Sequence, residues 1–253
     1  AMALTLLGAA KATMDPVQVA LCAQRAENRF VGVQSGIMDQ LASVLSRAGH
    51  ALWIDCRSLA HRTVTLPGGV RVVICDTMTR RDLAHSAYNE RRRECAEAVR
   101  RLAAILPGIR ALRDVTLDDL ARHGDALPPA IRRRARHVVS ENARVLAAVE
   151  ALEGGQAADF GRLMDASHVS LRDDYEVSSP DLDLMVGLAH GLPGCLGARM
   201  TGAGFGGATV NLVREAAVTA FAEGIRAEYA RRTGLQPEII VSAAAAGASA
   251  LSS

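Results

Sequence analysis

The chain has 253 residues, of which 49% are hydrophobic, so it can bury one large core or two modest ones. Its formal net charge of +2 gives no reason to expect nucleic acid or an acidic membrane as a partner, and no apolar run is long enough to span a bilayer. Five scattered cysteines without a C-x-x-C pair indicate neither a zinc site nor a disulfide framework, and favour free buried thiols in a reducing cytoplasm.

The first predicted elements are helices. Residues 1–7 (AMALTLL) have a helix-like pattern but no capping residue in front of them, so the chain is predicted to open inside a helix. The segment has no basic lead-in or clear cleavage site, and is therefore not typical of a signal peptide. Asp15 followed by Pro16 predicts a capped helix that runs to about Phe30. Residues 36–46 predict a second helix.

Two strands and a turn follow. Residues 51–56 and 71–76 are predicted as strands, separated by a turn at Pro67, Gly68 and Gly69. We place a domain boundary at this turn, which gives a first domain of residues 1–68 and a second of residues 69–253.

The second domain is predicted to contain a run of helices followed by strands and one further helix. Helices are predicted at residues 83–106, 117–122, 129–139, 142–153, 157–170, 181–192 and 216–232, and strands at residues 197–200, 209–213 and 238–242. Strands separated by single long helices favour an α+β fold in which helices cover one face of a sheet. The small residues of 243–253 predict a tail that frays.

Two segments carry patterns suited to ligands. In residues 34–40 (QSGIMDQ), Gly36 lets the backbone come close to a neighbour, while Ile37 and Met38 can anchor the turn in a core. Asp39 would then project from a fixed base, a geometry that a sugar hydroxyl could use, although a lone Gly-x-x-Asp is weak evidence. Residues 199–207 (RMTGAGFGG) form a glycine-rich turn between apolar segments, which suits a phosphate-bearing ligand.

Two further segments complete a recognisable set: residues 86–95 (SAYNERRREC) and residues 167–180 (SHVSLRDDYEVSSP). In order and spacing, the four segments resemble galactokinase, a family of the GHMP kinase superfamily, and the likeness covers almost the whole chain. The resemblance implies an α+β GHMP kinase fold of two lobes, with helices packed on mixed or antiparallel sheets and a ligand cleft between the lobes. It also implies ATP and Mg²⁺ as cofactors.

The resemblance further implies roles for individual residues. Asp39 matches the general base that faces the anomeric hydroxyl, and Gly36 and Tyr88 match positions that contact galactose. Glu27 matches an acidic residue that helps to hold magnesium, which needs few protein carboxylates. The glycine turn is implied to lie near the nucleotide, through the residues Gly202, Ala203, Gly204, Gly206 and Gly207. Ala203 departs mildly from the usual glycine pattern, and is tolerable there with an ordinary negative φ.

Each of these residues also has a purely structural interpretation. Asp39 could be a carboxylate that the helix dipole favours in a first turn, and Glu27 could belong to a solvated helix face. Tyr88 could cap a core edge, and a glycine-rich turn often only separates two strands. The agreement of four segments favours the functional interpretation for Asp39.

Two other features are predicted to be structural. The arginines at 91–93 and at 132–134 with 136 lie near acidic residues without interleaved aromatics, which is typical of solvated, salt-bridged helix faces rather than nucleic-acid contacts. Residues 167–180 are expected to stop one helix and turn into the next, close to the sugar cleft.

The function implied is transfer of the γ-phosphoryl group of ATP to the C1 hydroxyl of D-galactose, by a cytoplasmic enzyme that is monomeric when complete. The alternatives are another GHMP sugar kinase and a galactokinase-like sensor that binds sugar and nucleotide without turnover. Galactokinases carry a sugar-binding motif and a Gly/Ser-rich phosphate loop before the matching region, and this sequence contains neither. We therefore expect a C-terminal portion that is inactive alone and partly unfolded or aggregation-prone before about residue 60.

Overall fold

The structure is a computed structural model that describes residues 2–31, 35–80 and 84–249. The chain divides into two compact units, Ala1–Leu66 with Ala243–Ser253, and Pro67–Ser242. The sequence placed the boundary between residues 68 and 69 and the tail in the second domain. The described part of the tail instead joins the first unit through backbone hydrogen bonds, and the expectation that it frays is wrong as far as residue 248. Gly49 N–H donates to Ala244 O (2.9 Å), and Ala248 N–H donates to Ser43 O (2.6 Å).

The described residues form runs of α-helices and runs of β-strands, with short 3₁₀ or π-helical turns between some of them. The α-helices are α1 Met2–Ala9, α2 Pro16–Ala26, α3 Met38–Leu45, α4 Ala84–Ala103, α5 Leu117–His123, α6 Pro129–Glu153, α7 Ala157–Asp173, α8 Pro180–His190 and α9 Val218–Thr233. The strands are β1 His50–Ile54, β2 His61–Thr65, β3 Val70–Asp76, β4 Cys195–Met200, β5 Ala208–Arg214 and β6 Glu238–Ser242. A π-helical turn, Glu27–Val31, directly follows α2.

The first unit is built from helices α1–α3 and a two-stranded antiparallel sheet. The Asp15 carboxylate accepts from the N–H groups of Val17 and Gln18, with Pro16 at the first position of α2, so the predicted cap is confirmed. The small core joins Ala20 of α2 to Ile37 and Leu41 at the start of α3. This packing fixes where α3 begins.

The second unit contains a four-stranded sheet in the order β4-β5-β3-β6, in which every neighbouring pair is antiparallel. Helices α8 and α9 pack their apolar side chains, among them Met185, Phe221 and Tyr229, against the sheet residues Val73 and Val213. All five of these side chains are fully buried. This core holds β4 and β5, the two strands that flank the glycine-rich turn.

A second core of this unit is formed by helices and the loops between them. It joins Ala98 and Leu102 of α4 to Leu120 of α5 and Val139 of α6. Ala98 and Leu102 have no exposed surface. The position of α4, which carries Tyr88, is therefore set by its C-terminal half.

The structure corrects two predictions of secondary-structure elements and one of cysteine burial. Residues 129–153 form one helix instead of two, because Ser140 and Glu141 bond within the helix: Ser140 Oγ donates to His137 O (3.1 Å) and Glu141 accepts from Arg144 (2.6 Å). Strand β2 was missed because only Val64 of its residues is buried, which leaves little periodicity.

The five cysteines are free, as predicted, but Cys22 and Cys56 are exposed. Within the described residues, no helix is both long and apolar enough to cross a membrane.

Candidate active site

The candidate residues of the first unit surround the start of α3. The loop before it is held by Asn28, whose Oδ1 accepts from both the Ser35 N–H (3.2 Å) and the Ser35 hydroxyl (3.0 Å). Gln24 Nε2 donates to Ser35 O (3.2 Å). Ile37 follows and is buried, so the chain enters α3 from an anchored point on both sides of Gly36.

Asp39 lies in the first turn of α3 and its side chain is exposed. A carboxylate here is stabilised by the helix dipole and is free to meet a ligand. Gly36, three residues earlier, has no positive φ, and among the described residues, apart from its chain neighbours, no atom lies within 4 Å of the place a Cβ would take. Within the part of the chain that the structure describes, neither backbone strain nor crowding therefore explains the glycine.

Glu27 is connected to the same helix through Gln40. It begins the π-helical turn, a feature often found at functional sites, and its Oε2 accepts from Gln40 Nε2 (2.5 Å). The other polar atom of that side chain, Gln40 Oε1, is buried and has no hydrogen-bond partner among the described residues. A buried amide oxygen without a donor, beside a carboxylate, provides the oxygen ligands that Mg²⁺ prefers. The described residues contain no group of three or more acidic, His or Cys side chains that could hold a metal.

Tyr88 lies on α4 in the second unit and is half-buried. It is near Tyr175, whose pKa is raised mainly by burial, with further contributions from Cys95 and Tyr88. The ring of Tyr175 stacks on His137 with centroids 4.5 Å apart. Tyr88 is thus at the edge of a packed aromatic and polar layer, and both the ligand-contact and the core-edge interpretations fit this position.

The glycine-rich turn connects β4 to β5 and has an unusual backbone. Gly202, Gly204, Phe205, Gly206 and Gly207 all adopt positive φ, whereas Ala203 does not, as its tolerance required. Of the described residues, none accepts a hydrogen bond from the N–H groups at positions 202, 203, 204 and 206. Unpaired successive amides in such a conformation can bind an anion.

Two contacts fix the turn from behind. Phe205 N–H donates to Val177 O (2.7 Å), and Gly207 N–H donates to Thr79 O (2.9 Å). A Cβ at position 204 would overlap the Val177 carbonyl oxygen, whereas position 202 has open space. Gly204 is therefore required by a close backbone approach.

The segment 167–180 performs the predicted structural role and one that the sequence did not reveal. Helix α7 ends at Asp173, and Ser179 caps α8 by accepting from Leu182 N–H (3.3 Å). In addition, the buried His168 accepts the Met200 N–H at Nδ1 (3.3 Å), directly before the glycine turn. Burial lowers the pKa of His168, which keeps the ring neutral and able to accept.

The prediction that both arginine clusters are solvated is wrong for two of their members. The Arg91 and Arg134 side chains are only 11% and 4% exposed. Both bond Glu94 and the main chain of residues 174–176. Apart from the bond between Arg91 and Glu94, their acceptors lie 40 or more residues away in sequence, so local charge patterning could not reveal the burial.

Comparisons with known proteins show which proteins this chain resembles. The family described as GHMP kinases C terminal matches residues 148–231. A galactokinase of Roseiflexus sp. is 56% identical over 230 residues, which cover 91% of this chain and 59% of that protein. A galactokinase of Chloroflexus aurantiacus is 55% identical over 92% of this chain and 60% of its own length. The chain thus spans about 60% of the length of these relatives.

Solved structures agree with the sequence matches. The crystal structure of Lactococcus lactis galactokinase complexed with galactose superposes with a TM-score of 0.94 at 34% identity, over 98% of this chain and 64% of that one. A mevalonate kinase of L. major has a TM-score of 0.57 at 17% identity over 93% of this chain and 60% of that chain, a likeness of fold alone. The predicted α+β GHMP kinase fold and the resemblance to galactokinases are confirmed.

Proposed function

We propose that this chain, which resembles galactokinases of the GHMP kinase superfamily over almost its whole length, takes part in transfer of the γ-phosphoryl group of ATP to the C1 hydroxyl of D-galactose, giving galactose 1-phosphate. We further propose, from the same relatives, a monomeric cytoplasmic enzyme without nucleic-acid or membrane partners. The relatives are longer than this chain, so the proposal concerns the activity of a protein that also contains their N-terminal portion.

The observation that carries the proposal is the exposed carboxylate of Asp39, three residues after Gly36, whose Cβ position is not crowded by any described residue beyond its chain neighbours. Phosphoryl transfer to an alcohol needs a positioned hydroxyl, and a carboxylate within hydrogen-bond reach of that hydroxyl can accept its proton late in a loose transition state. Helix α3 provides a rigid base for Asp39, since Ile37 and Leu41 are buried. Gly36 would let the sugar approach the backbone, and Tyr88 matches a galactose-contacting position of the family that the chain resembles.

Oxygen donors support magnesium as the cofactor. Glu27 would supply a carboxylate oxygen, and the unpaired amide oxygen of Gln40 is adjacent to it through the Glu27–Gln40 hydrogen bond. These oxygens would hold an ion that, with ATP bound, would neutralise charge on the phosphate oxygens. The free amides at residues 202–204 and 206 support an anionic ligand, such as a nucleotide phosphate, at the glycine turn.

The test is Asp39→Asn in residues 1–253 joined to the N-terminal portion of the Roseiflexus galactokinase. Removal of a general base should lower turnover by roughly 10²–10⁴-fold, while galactose affinity, measured by calorimetric titration, changes little. Asp118→Asn is the matched control, because Asp118 is also an exposed Asp in the first turn of a helix.

Three outcomes separate the possibilities. Loss of turnover in Asp39→Asn alone supports the general-base role. Near-normal turnover in Asp39→Asn overturns that role. If the unsubstituted protein binds galactose and ATP without turnover, it is instead a galactokinase-like sensor, the alternative given by the sequence.

A further inference from the structure

Residues 174–177 (DYEV), which we call the strap, link the end of α7 to the cap of α8 and have no regular secondary structure. Every one of their carbonyl oxygens nevertheless accepts a hydrogen bond from a distant residue. Arg134 Nη1 donates to Asp174 O (2.6 Å), and Arg91 donates to Tyr175 O through Nε (2.7 Å) and to Glu176 O through Nη2 (3.1 Å). The fourth acceptor, Val177 O, receives the Phe205 N–H of the glycine turn (2.7 Å).

The strap conformation costs free energy that its contacts must offset. Glu176 has φ of 54°, in the left-handed region that a side chain disfavours. Its carboxylate accepts from Arg134 Nη2 (2.7 Å) and Arg133 Nη2 (2.5 Å), and the Arg134 hydrogen bond is the main cause that lowers the pKa of Glu176 to about 2. The ion pairs therefore hold this residue in place over the whole physiological pH range.

Arg134 is the central donor of this arrangement. Its buried guanidinium bonds three acceptors at once: the Asp174 carbonyl, the Glu176 carboxylate, and Glu94 Oε2 (2.9 Å). Arg91 bonds the same Glu94 oxygen (2.9 Å), so one carboxylate on α4 joins the two cations. Three acceptors in different directions match the planar fork of Arg and not the point charge of Lys.

The position of the strap sets the position of the glycine turn. The two backbones meet without a side chain between them, since a Cβ at Gly204 would overlap the Val177 carbonyl. Val177 and Phe205 also share a small core with Leu182 and Met200. A displaced strap would consequently displace the turn and its free amides.

We propose that Arg134 is a positioning residue for the nucleotide side of the site: it fixes the strap, and the strap fixes the anion-binding conformation of the glycine turn. The inference rests on the proposed function in so far as the anion is a nucleotide phosphate. Arg134 bonds the strap and Glu94, and it acts on the glycine turn only through the strap.

The first measurement is hydrogen exchange on residues 1–253, resolved to single amides, for wild type, Arg134→Lys and the control Arg132→Lys. Arg132 lies on the same helix, and its ion-pair partner Asp125 is outside the strap. Loss of the fork should accelerate exchange of the Phe205 amide on the order of tenfold. The Gly207 amide, which bonds Thr79 instead, should change little, and Arg132→Lys should resemble wild type.

The second measurement is calorimetric titration with Mg·ATP and with galactose. It uses residues 1–253 joined to the N-terminal portion of the Roseiflexus galactokinase, which we call the joined protein. Arg134→Lys should raise the dissociation constant of ATP on the order of tenfold, with that of galactose within about twofold, since α4 keeps its own buried core. A merely structural residue would weaken both ligands alike.

Unchanged Phe205 exchange, equal acceleration of Phe205 and Gly207, or unchanged ATP affinity would each overturn the inference. Neither measurement needs turnover. A joined protein without kinase activity would therefore count against the proposed function and not against the role of Arg134. If Arg134→Lys fails to fold, Glu94→Gln, which removes the charge that the two arginines share, is the second variant and should accelerate Phe205 selectively.

Discussion

Two glycines of the same turn provide a direct test of how the turn is held. Gly202 (φ 76°) and Gly204 (φ 86°) have nearly the same backbone conformation, but only Gly204 faces the Val177 carbonyl. An Ala at either position pays the left-handed penalty of roughly 1–2 kcal/mol, offset by about 0.4–1 kcal/mol from a less flexible unfolded chain. Gly202→Ala should therefore lower the free energy of unfolding by about 1 kcal/mol.

Gly204→Ala should cost more, because the new Cβ must push the Val177 carbonyl away. The Phe205–Val177 hydrogen bond would break and leave the carbonyl of a buried residue without its donor, which adds about 1–3 kcal/mol. The total of about 2–4 kcal/mol corresponds to a fall in Tm of roughly 4–16 °C for a unit of this size.

The measurement is urea and thermal unfolding of residues 1–253, followed by circular dichroism. Comparison of the two variants cancels the backbone penalty and isolates the clash. If Gly204→Ala and Gly202→Ala destabilise the protein equally, the close approach of the turn to the strap does not exist in solution, and the reasoning fails.

Two other predictions concern the ligand and the pH dependence of stability. In calorimetric titrations of the joined protein, Tyr88→Phe should weaken galactose binding by on the order of 1 kcal/mol and ATP binding much less. Equal weakening of both would indicate a packing role. Burial lowers the pKa of His137 to about 4 against the opposing charge of Glu141, so the unfolded chain takes up this proton first and stability should fall as pH decreases from 6.5 towards 4. In urea unfolding at pH 7 and pH 5, His137→Gln should show a smaller loss than wild type, and an equal loss would refute a buried neutral histidine.

Features that depend on neighbouring residues could be predicted from the sequence. The cap and Pro at Asp15 and Pro16, and the turn into α8 at Ser179, depend on bonds that span two or three residues, and both form as expected. Each α-helix that the described residues form begins within two residues of a predicted start. The candidate residues themselves came from a resemblance, since no local rule distinguishes Asp39 from any other carboxylate in a first helical turn.

Features that depend on distant contacts could not be predicted. The small residues of the tail predicted disorder. The same small size, however, allows Gly247 to lie against the backbone of Ser43 and Val44. The arginine clusters looked solvated because acidic residues lie close by in sequence. Arg134 instead bonds Glu94, Asp174 and Glu176, 40 to 42 residues away, and only the packing of α4, α6 and the strap brings them together.

The accounting of backbone hydrogen bonds explains why cations occupy this interior. A buried ion pair is often no more stabilising than apolar side chains of the same size, and charge alone would not justify Arg91 and Arg134. The strap, however, presents the carbonyls of residues 174–176 to the space between α4 and α6, and an apolar side chain there would leave them without donors. Arginine has five donors and no acceptor, so the two arginine side chains together satisfy all three carbonyls. Glu94 then accepts from both guanidiniums, and its charge allows two cations to lie side by side where a neutral residue would leave them to repel each other.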